Sequence, residues 1–386
     1  MVNDRSSLPY WRLSTFYLFY FASLGALLPY WGLYLRSLGY GAGEIGELMA
    51  VMMVTKIVSP NIWGWIADHS GKSMTVIRWG SLLSLCSFLA VFRVEGFLSL
   101  AVVIFLFSFF WNATLPQFEA VTLGYLRQEL HRYSWIRVWG SIGFIIAVLA
   151  IAPVVETHGI ALLPWLLALL YGAIYLSSLL VHEPGVQPHP HASLSLLQVL
   201  RQREVLLLLG VAFLMQASHG AYYSFYSLYL EQYGYSSVVI GQLWALGVVV
   251  EVAIFMVMSP LISRFGLRSL LQWSLALTAL RWLFTATFPQ WLGVMVATQS
   301  LHAASFGIFH AVAISLFHQA FPGRLQGRGQ ALYSSISFGA GGAIGALVSG
   351  YVWELSSPRD IFLVAAALST LALLVSLQER GVEDEK

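Results

Sequence analysis

Leu33–Leu48 reads LYLRSLGYGAGEIGEL, and Leu228–Leu243 reads LYLEQYGYSSVVIGQL. Eight of the sixteen positions are identical at a constant offset of 195. Each copy joins the end of one apolar run to the start of the next, so one helix–turn–helix junction occurs twice, half a chain apart. A second echo pairs Ser141-Ile142-x-Phe144 with Ser335-Ile336-x-Phe338 at an offset of 194, and Ser59-Pro60 and Ser259-Pro260 both fall late in their runs. Six runs separate each residue from its counterpart, an even number, so corresponding helices point the same way. The sequence therefore predicts a parallel repeat of two six-helix bundles, with a site between halves that rock about it.

Composition agrees with that architecture. The 386 residues are 58% hydrophobic, 15% aromatic and only 10% charged, with a mean hydropathy of +0.74. A soluble domain carries about 25% charged residues, which excludes a nucleic-acid binder, a disordered regulator and almost any soluble enzyme. A net charge of +2 indicates no polyanionic partner, and the single Cys86 excludes a disulfide framework or a Cys-cluster metal site. Twelve membrane helices are expected at roughly 11–36, 43–66, 74–93, 97–126, 133–153, 159–181, 205–230, 236–262, 268–287, 290–317, 329–352 and 360–378. The first run is too long for a signal-peptide core and has no small-residue cleavage site, so it is expected to be retained. The halves are residues 1–182 and 205–386, joined by a hydrophilic linker at 183–204 that contains three Pro and two His (His189, His191), read as loop residues.

Thirteen Lys or Arg fall on one side of this topology: Arg5, Arg12, Lys72, Arg127, Arg132, Arg201, Arg203, Arg264, Arg268, Arg324, Arg328, Arg380 and Lys386. Three fall on the other, Arg36, Arg93 and Arg359. By the positive-inside rule both termini are expected to be cytoplasmic.

Four bases remain inside helices, Lys56, Arg78, Arg137 and Arg281. A charge at the centre of a span costs at least about 2.5–3.5 kcal/mol, so deep charges are functional candidates. Lys56, Glu119, Arg137, Glu251 and Arg281 are the five that stand out. Glu119 and Arg137 lie nine residues either side of residue 128, and Glu251 and Arg281 fifteen either side of Gly266. Equal distance from an antiparallel turn gives equal depth, so each pair of opposite charges can meet, one pair per half. His219 precedes Tyr222 and Tyr223 at one-turn spacing, which lets the three share a cavity. His302 and His310 lie in the tenth helix.

The segment Gly64-Trp65-Ile66-Ala67-Asp68-His69-Ser70-Gly71-Lys72 resembles the cytoplasmic signature G-x-x-x-D-x-x-G-[RK] of the major facilitator superfamily. Gly64, Asp68, Gly71 and Lys72 are then the gating motif: glycine permits a tight turn, and the Asp at a helix end holds one closed arrangement. Gly71-Lys72-Ser73 is not a phosphate loop, because the required first Gly would be residue 66, which is Ile. A finer resemblance is to the proton-coupled lactose permease relatives and especially the phenylpropionate permease group. It is carried by ASHGAYY at 217–223, LWALGVVVE at 243–251, Arg281-Trp282, Leu301-His302 and RVWGS at 137–141.

That resemblance implies substrate contacts by Glu119 and Arg137, whose eighteen-residue separation matches the family, and proton coupling through Arg281 and His302. It also shows departures. Ser305 stands where a carboxylate is expected one turn after the histidine, Gly341 near an expected lysine, and Phe144 at the place of a sugar-stacking tryptophan. The proton is therefore assigned first to Glu251 and second to Glu119, and a substrate carboxylate to Lys56 or Arg137, with His219, Tyr222 and Tyr223 lining the pocket. The expectation is proton-coupled import of a small organic anion such as an aromatic acid. The partners are substrate, protons and membrane lipid, and the setting is a monomer in a bacterial inner membrane. No cofactor, metal or nucleic acid is expected, and no nucleophile–base constellation marks an enzyme. The alternatives are a sugar or nucleoside symporter, an exporter, and a sensor that binds without translocating.

Overall fold

The computed structural model describes residues 8–126, 129, 132–183, 199–321 and 325–378. These residues are helical with no strand among them, as they must be if backbone groups are to be satisfied in a solvent without hydrogen-bonding partners. In chain order the helices are α1 (Tyr10–Ser37), α2 (Ala42–Ser70), α3 (Ser73–Leu89), α4 (Phe97–Leu126), α5 (Tyr133–His158) and α6 (Leu163–Leu179). The second half contains α7 (Arg203–Gln232), α8 (Ser237–Met256, continued by Met258–Phe265), α9 (Leu267–Thr287), α10 (Leu292–Ala320), α11 (Gln326–Leu355) and α12 (Asp360–Ser376). Ten are long and apolar enough to cross a membrane; α12 is a shorter apolar helix, and the 21 residues of α9 fall outside that group.

Several helices outrun their expected bounds. α2 continues to Ser70, and α5 continues past Pro153 to His158. α7 starts at Arg203, just inside the expected linker. Residues 184–198, with His189 and His191, lie outside the described residues, as do Arg5, Arg127, Arg324, Arg380 and Lys386.

The repeated sequence is a repeated turn. Gly39 and Gly234 both adopt a positive φ, 93° and 81°, which glycine tolerates without a Cβ clash. Tyr40 and Tyr235 each donate their backbone N–H five residues back, to the carbonyls of Leu35 and Leu230. One packing contact repeats as well. Gly25 on α1 leaves room for α5, since a Cβ there would lie 2.6 Å from the Phe144 carbonyl oxygen. Its counterpart Gly220 on α7 lies against the backbone of Gly345 and Ala346 on α11. Phe144 itself is buried in the α1–α5 side of the first half.

The start of α1, the α2–α3 turn, the end of α4, the start of α5 and the end of α6 share one face, here the terminal face. Tyr10 donates to the Trp135 carbonyl, Tyr125 to the His182 carbonyl, and Glu183 accepts from the N–H groups of Ser73 and Met74. Between the halves, α2 packs on α11 and α5 on α8. Two close backbone approaches, at Gly46 and Gly241, lie toward the opposite face, and a third, at Gly339 of α11 against Ile57, lies beside Lys56. In the middle of the molecule, by contrast, Lys56, Glu119, Arg137, Tyr223 and Glu251 keep partial exposure. The halves thus pack closely toward the opposite face, and those five side chains keep accessible surface in the middle of the molecule.

Close helix packing makes a size prediction. A side chain at Gly143 would run into the backbone of Leu18 on α1, so Gly143→Val should destabilise by about 1–3 kcal/mol. Nothing lies within 4 Å of a Cβ built at Gly172, so Gly172→Ala should be neutral or stabilising by up to ~1 kcal/mol. Thermal unfolding in detergent distinguishes them; equal Tm values would contradict the packing.

Candidate functional site

Arg281 on α9 is fully buried. Its guanidinium can only donate hydrogen bonds, and α10 supplies the acceptors. Nη1 donates to Ser305 Oγ at 2.6 Å and to His302 Nδ1 at 3.0 Å, and Nη2 to Gln299 Oε1 at 3.4 Å. Its charge lies over the rings of Tyr222 (4.5 Å) and Trp282 (4.3 Å), a cation–π arrangement that is stronger when desolvated. Tyr222 donates its hydroxyl to the same Gln299 oxygen at 3.1 Å. α8 approaches this polar face because of Gly247, where a Cβ would lie 3.2 Å from Gln299 Oε1.

This geometry assigns the His302 tautomer. Nδ1 faces a donor that cannot accept, so it must accept, and the ring proton sits on Nε2. Nε2 lies 3.5 Å from Glu251 Oε2. Arg281 thus donates to His302, whose Nε2 lies within ion-pairing distance of Glu251 without a hydrogen bond between them. Equal hairpin depth placed Glu251 and Arg281 at one level, but the direct contact it allowed is not made. His302 stands between them. Among the described residues no ion pair within 4 Å joins Glu251 to Arg281 or Glu119 to Arg137.

His219 is fully buried beside this chain. Its Nδ1 donates to the Met215 carbonyl at 2.9 Å, which leaves Nε2 an acceptor with no partner among the described residues. The rings of Tyr223 (5.8 Å), Trp282 (5.1 Å) and Tyr222 (6.5 Å) surround it.

In the first half, Glu119 on α4 accepts from the Tyr133 hydroxyl at 3.3 Å. Arg137 on α5 lies 3.8 Å above the ring of Phe21 on α1. It is close enough to Glu119 for charge–charge interaction, and also to Glu251 and His310 across the interface between halves. Lys56 on α2 is half-buried and makes no hydrogen bond or ion pair among the described residues. Its neighbour Thr55 is engaged with Ser108 and Asn112 of α4 at 3.1 and 2.9 Å.

Two π-helical segments, Ala303–Ile308 in α10 and Ser335–Gly341 in α11, lie in these helices; such segments are frequent at functional sites. The rings of His302, Phe306 and His310 stack in series at 5.5 and 5.4 Å, and Phe338 of α11 packs on the latter two. Gln299, Ser305, Phe306 and Phe338 were not anticipated as site residues. A signal existed for the first two, because Gln299, His302 and Ser305 recur every third residue along one face of an apolar helix.

At the end of α2, Gly71 has φ +64° and its N–H returns to the Ala67 carbonyl at 2.9 Å, the turn expected of the gating motif. Gly64 faces Gln117 of α4. Asp68 and Lys72 are exposed, and the Asp68 carboxylate has no hydrogen-bond partner among the described residues. No three His, Cys, Asp or Glu side chains are grouped to hold a metal ion among the described residues.

A family model described as the MFS_1 like family matches residues 10–364. A probable 3-phenylpropionic acid transporter of Escherichia coli (strain K12) is 27% identical over 368 residues, covering 93% of this chain and 95% of its own. A maltose permease of Geobacillus stearothermophilus is 28% identical over 386 residues, covering 97% of each. Among solved structures, the nucleoside transporter NupG aligns with a TM-score of 0.81 at 18% identity, covering 95% of this chain and 98% of its own.

The buried guanidinium network predicts a sharp difference between two serines of α10. Ser305→Ala leaves an Arg281 N–H without its 2.6 Å acceptor and should destabilise by about 1–3 kcal/mol. Ser300 is exposed and bonds only its own helix, so Ser300→Ala should be within about 0.5 kcal/mol of wild type. Thermal denaturation of both proteins checks this.

Proposed function

The chain belongs to the MFS_1 like family, a membrane transporter of the major facilitator type, and from that premise we propose proton-coupled import of a small organic anion by alternating access. The observation that carries this reading is the Arg281–His302–Glu251 sequence of contacts, whose acidic end keeps 16% of its side chain exposed and in this reading faces a central cavity between the halves. A second proton on His302 would have to sit on Nδ1, against the guanidinium. A proton arriving from the cavity therefore goes to Glu251. Once neutral, Glu251 no longer attracts Arg137 across the interface between halves. The substrate carboxylate takes its place on Arg137, with Lys56 as the second cation, while the aromatic surfaces of Tyr223, Phe306 and Phe338 receive the organic part. The five deep charges sum to +1 when ionised, which suits a monoanion. An aromatic acid is the favoured class, supported by the lining and by the name of the E. coli relative. The protein works as a monomer in a bacterial inner membrane with both termini cytoplasmic. The uneven distribution of Lys and Arg supports that orientation, and the cavity then faces inward.

A sugar or nucleoside symporter is the second reading, favoured by Glu119 with its Tyr133 partner and by the names of the maltose and nucleoside relatives. A thermal-shift screen of aromatic acids, sugars and nucleosides discriminates: stabilisation by aromatic acids alone supports the first reading, and stabilisation by neutral sugars or nucleosides alone supports the second. A broad weak response with no uptake points to an exporter, and binding without counterflow to a sensor.

Coupling through Glu251 gives a signed pH prediction. Protonation frees Arg137, so substrate affinity should rise as pH falls, and Glu251→Gln should bind tightly at every pH. In liposomes that variant should lose accumulation driven by a pH gradient while keeping substrate counterflow. Accumulation by Glu251→Gln equal to wild type would refute the assignment.

A further inference from the structure

At the face opposite the α2–α3 turn and the start of α5, two carboxylates cross from one half to the other. Glu354 on α11 accepts from the backbone N–H of Gly43, in the first turn of α2, at 2.9 Å. Glu156 on α5 accepts from the backbone N–H of Val238, in the first turn of α8, at 2.9 Å. The first four N–H groups of a helix have no partner within it, and the positive end of the helix favours an anion. Each carboxylate satisfies one such group on the other half.

The two contacts are one contact built twice. Gly43 and Val238 are related by 195 residues, the offset of the duplicated turn, as are Gly46 and Gly241. On the facing helices Val148 corresponds to Ala346, Ala152 to Gly350 and Glu156 to Glu354, each by 198. A Cβ at Gly46 would lie 2.8 Å from the Ala346 carbonyl oxygen and 3.0 Å from Gly350 Cα. At Gly241 the matching distances are 3.0 Å to the Val148 carbonyl oxygen and 2.9 Å to Ala152 Cβ. Both glycines let the backbones close, and one turn further out each interface ends on its carboxylate. The exchange is reciprocal: each half offers one helix N-terminus and one carboxylate. The α2–α11 side has a further cross-contact, from the Tyr351 hydroxyl to Glu47.

We propose that Glu156 and Glu354 are paired latches that hold the opposite-face gate shut, each by capping a helix of the other half. Opening exposes carboxylate and N–H together to water, which solvates both, so the latches are readily reversible. Because both are at one face, they bias only that gate. This rests on the alternating-access reading above, but its test needs neither substrate nor transport.

Glu44 provides a built-in control. It accepts from Gly41 N–H at 2.9 Å, the same kind of bond two residues away, but within α2 itself. Spin labels at Leu38 and Leu355, on either side of this gate, are introduced with Cys86→Ser, and double electron–electron resonance reports their separation. Glu156→Gln/Glu354→Gln should shift the open:closed ratio by about tenfold or more and populate a longer distance, while Glu44→Gln leaves the distribution as wild type. Labels at Trp65 and Met256, near the terminal face, should report the reciprocal closure. If the double variant does not fold, Glu156→Gln and Glu354→Gln singly should each give part of the shift. A wild-type distance distribution in folded variants, or an equal shift in Glu44→Gln, overturns the latch. Failure of uptake with every substrate while the distances shift would instead overturn the transport reading alone.

Discussion

Arg281 cannot give up its proton, and it is buried with no carboxylate within ion-pairing distance among the described residues. That single constraint shapes the second half of the molecule. The guanidinium must find neutral acceptors and polarisable surfaces, and it finds Ser305, His302, Gln299 and two aromatic rings. Each of these is then fixed in turn. His302 is held in one tautomer, and Gln299 is shared with Tyr222. The remaining N–H of His302 has one direction to point, toward Glu251. A cation with a permanent charge thus orders a series of groups whose far end, Glu251, keeps partial exposure.

Arg137 is the less constrained counterpart. It rests on Phe21, within electrostatic range of a carboxylate in each half. A charge shared across the interface responds to any relative movement of the halves, whereas Arg281 is enclosed within one. The small residues of the interface make such movement sterically possible. Gly46 and Gly241 give smooth backbone contacts, and the repeated turns at Gly39 and Gly234 join them to α1 and α7.

The duplicated sixteen-residue stretch made the architecture legible, because a positive-φ glycine between two apolar runs dictates a local turn whatever surrounds it. Depth of the charges was legible too, since helix rise is constant. Contact was not. Hairpin arithmetic treats two helices at a time, while Arg281 is satisfied by a third, α10, whose approach depends on Gly247 and on a π-helical segment that composition does not signal. The cross-half capping by Glu156 and Glu354 was equally hidden. Those carboxylates lie near helix ends, where a charge reads as ordinary solvated surface, and their partners are backbone groups with no side-chain signature.

In the proposed transport cycle a proton moves with the substrate anion through Glu251. The direct measurement is the external pH of a weakly buffered suspension of liposomes containing the protein, followed as a transported aromatic acid is added with no gradient imposed. Alkalinisation of the medium in step with substrate entry, absent when Glu251 is replaced by Gln, is the predicted result. Substrate entry with no change in external pH would contradict it.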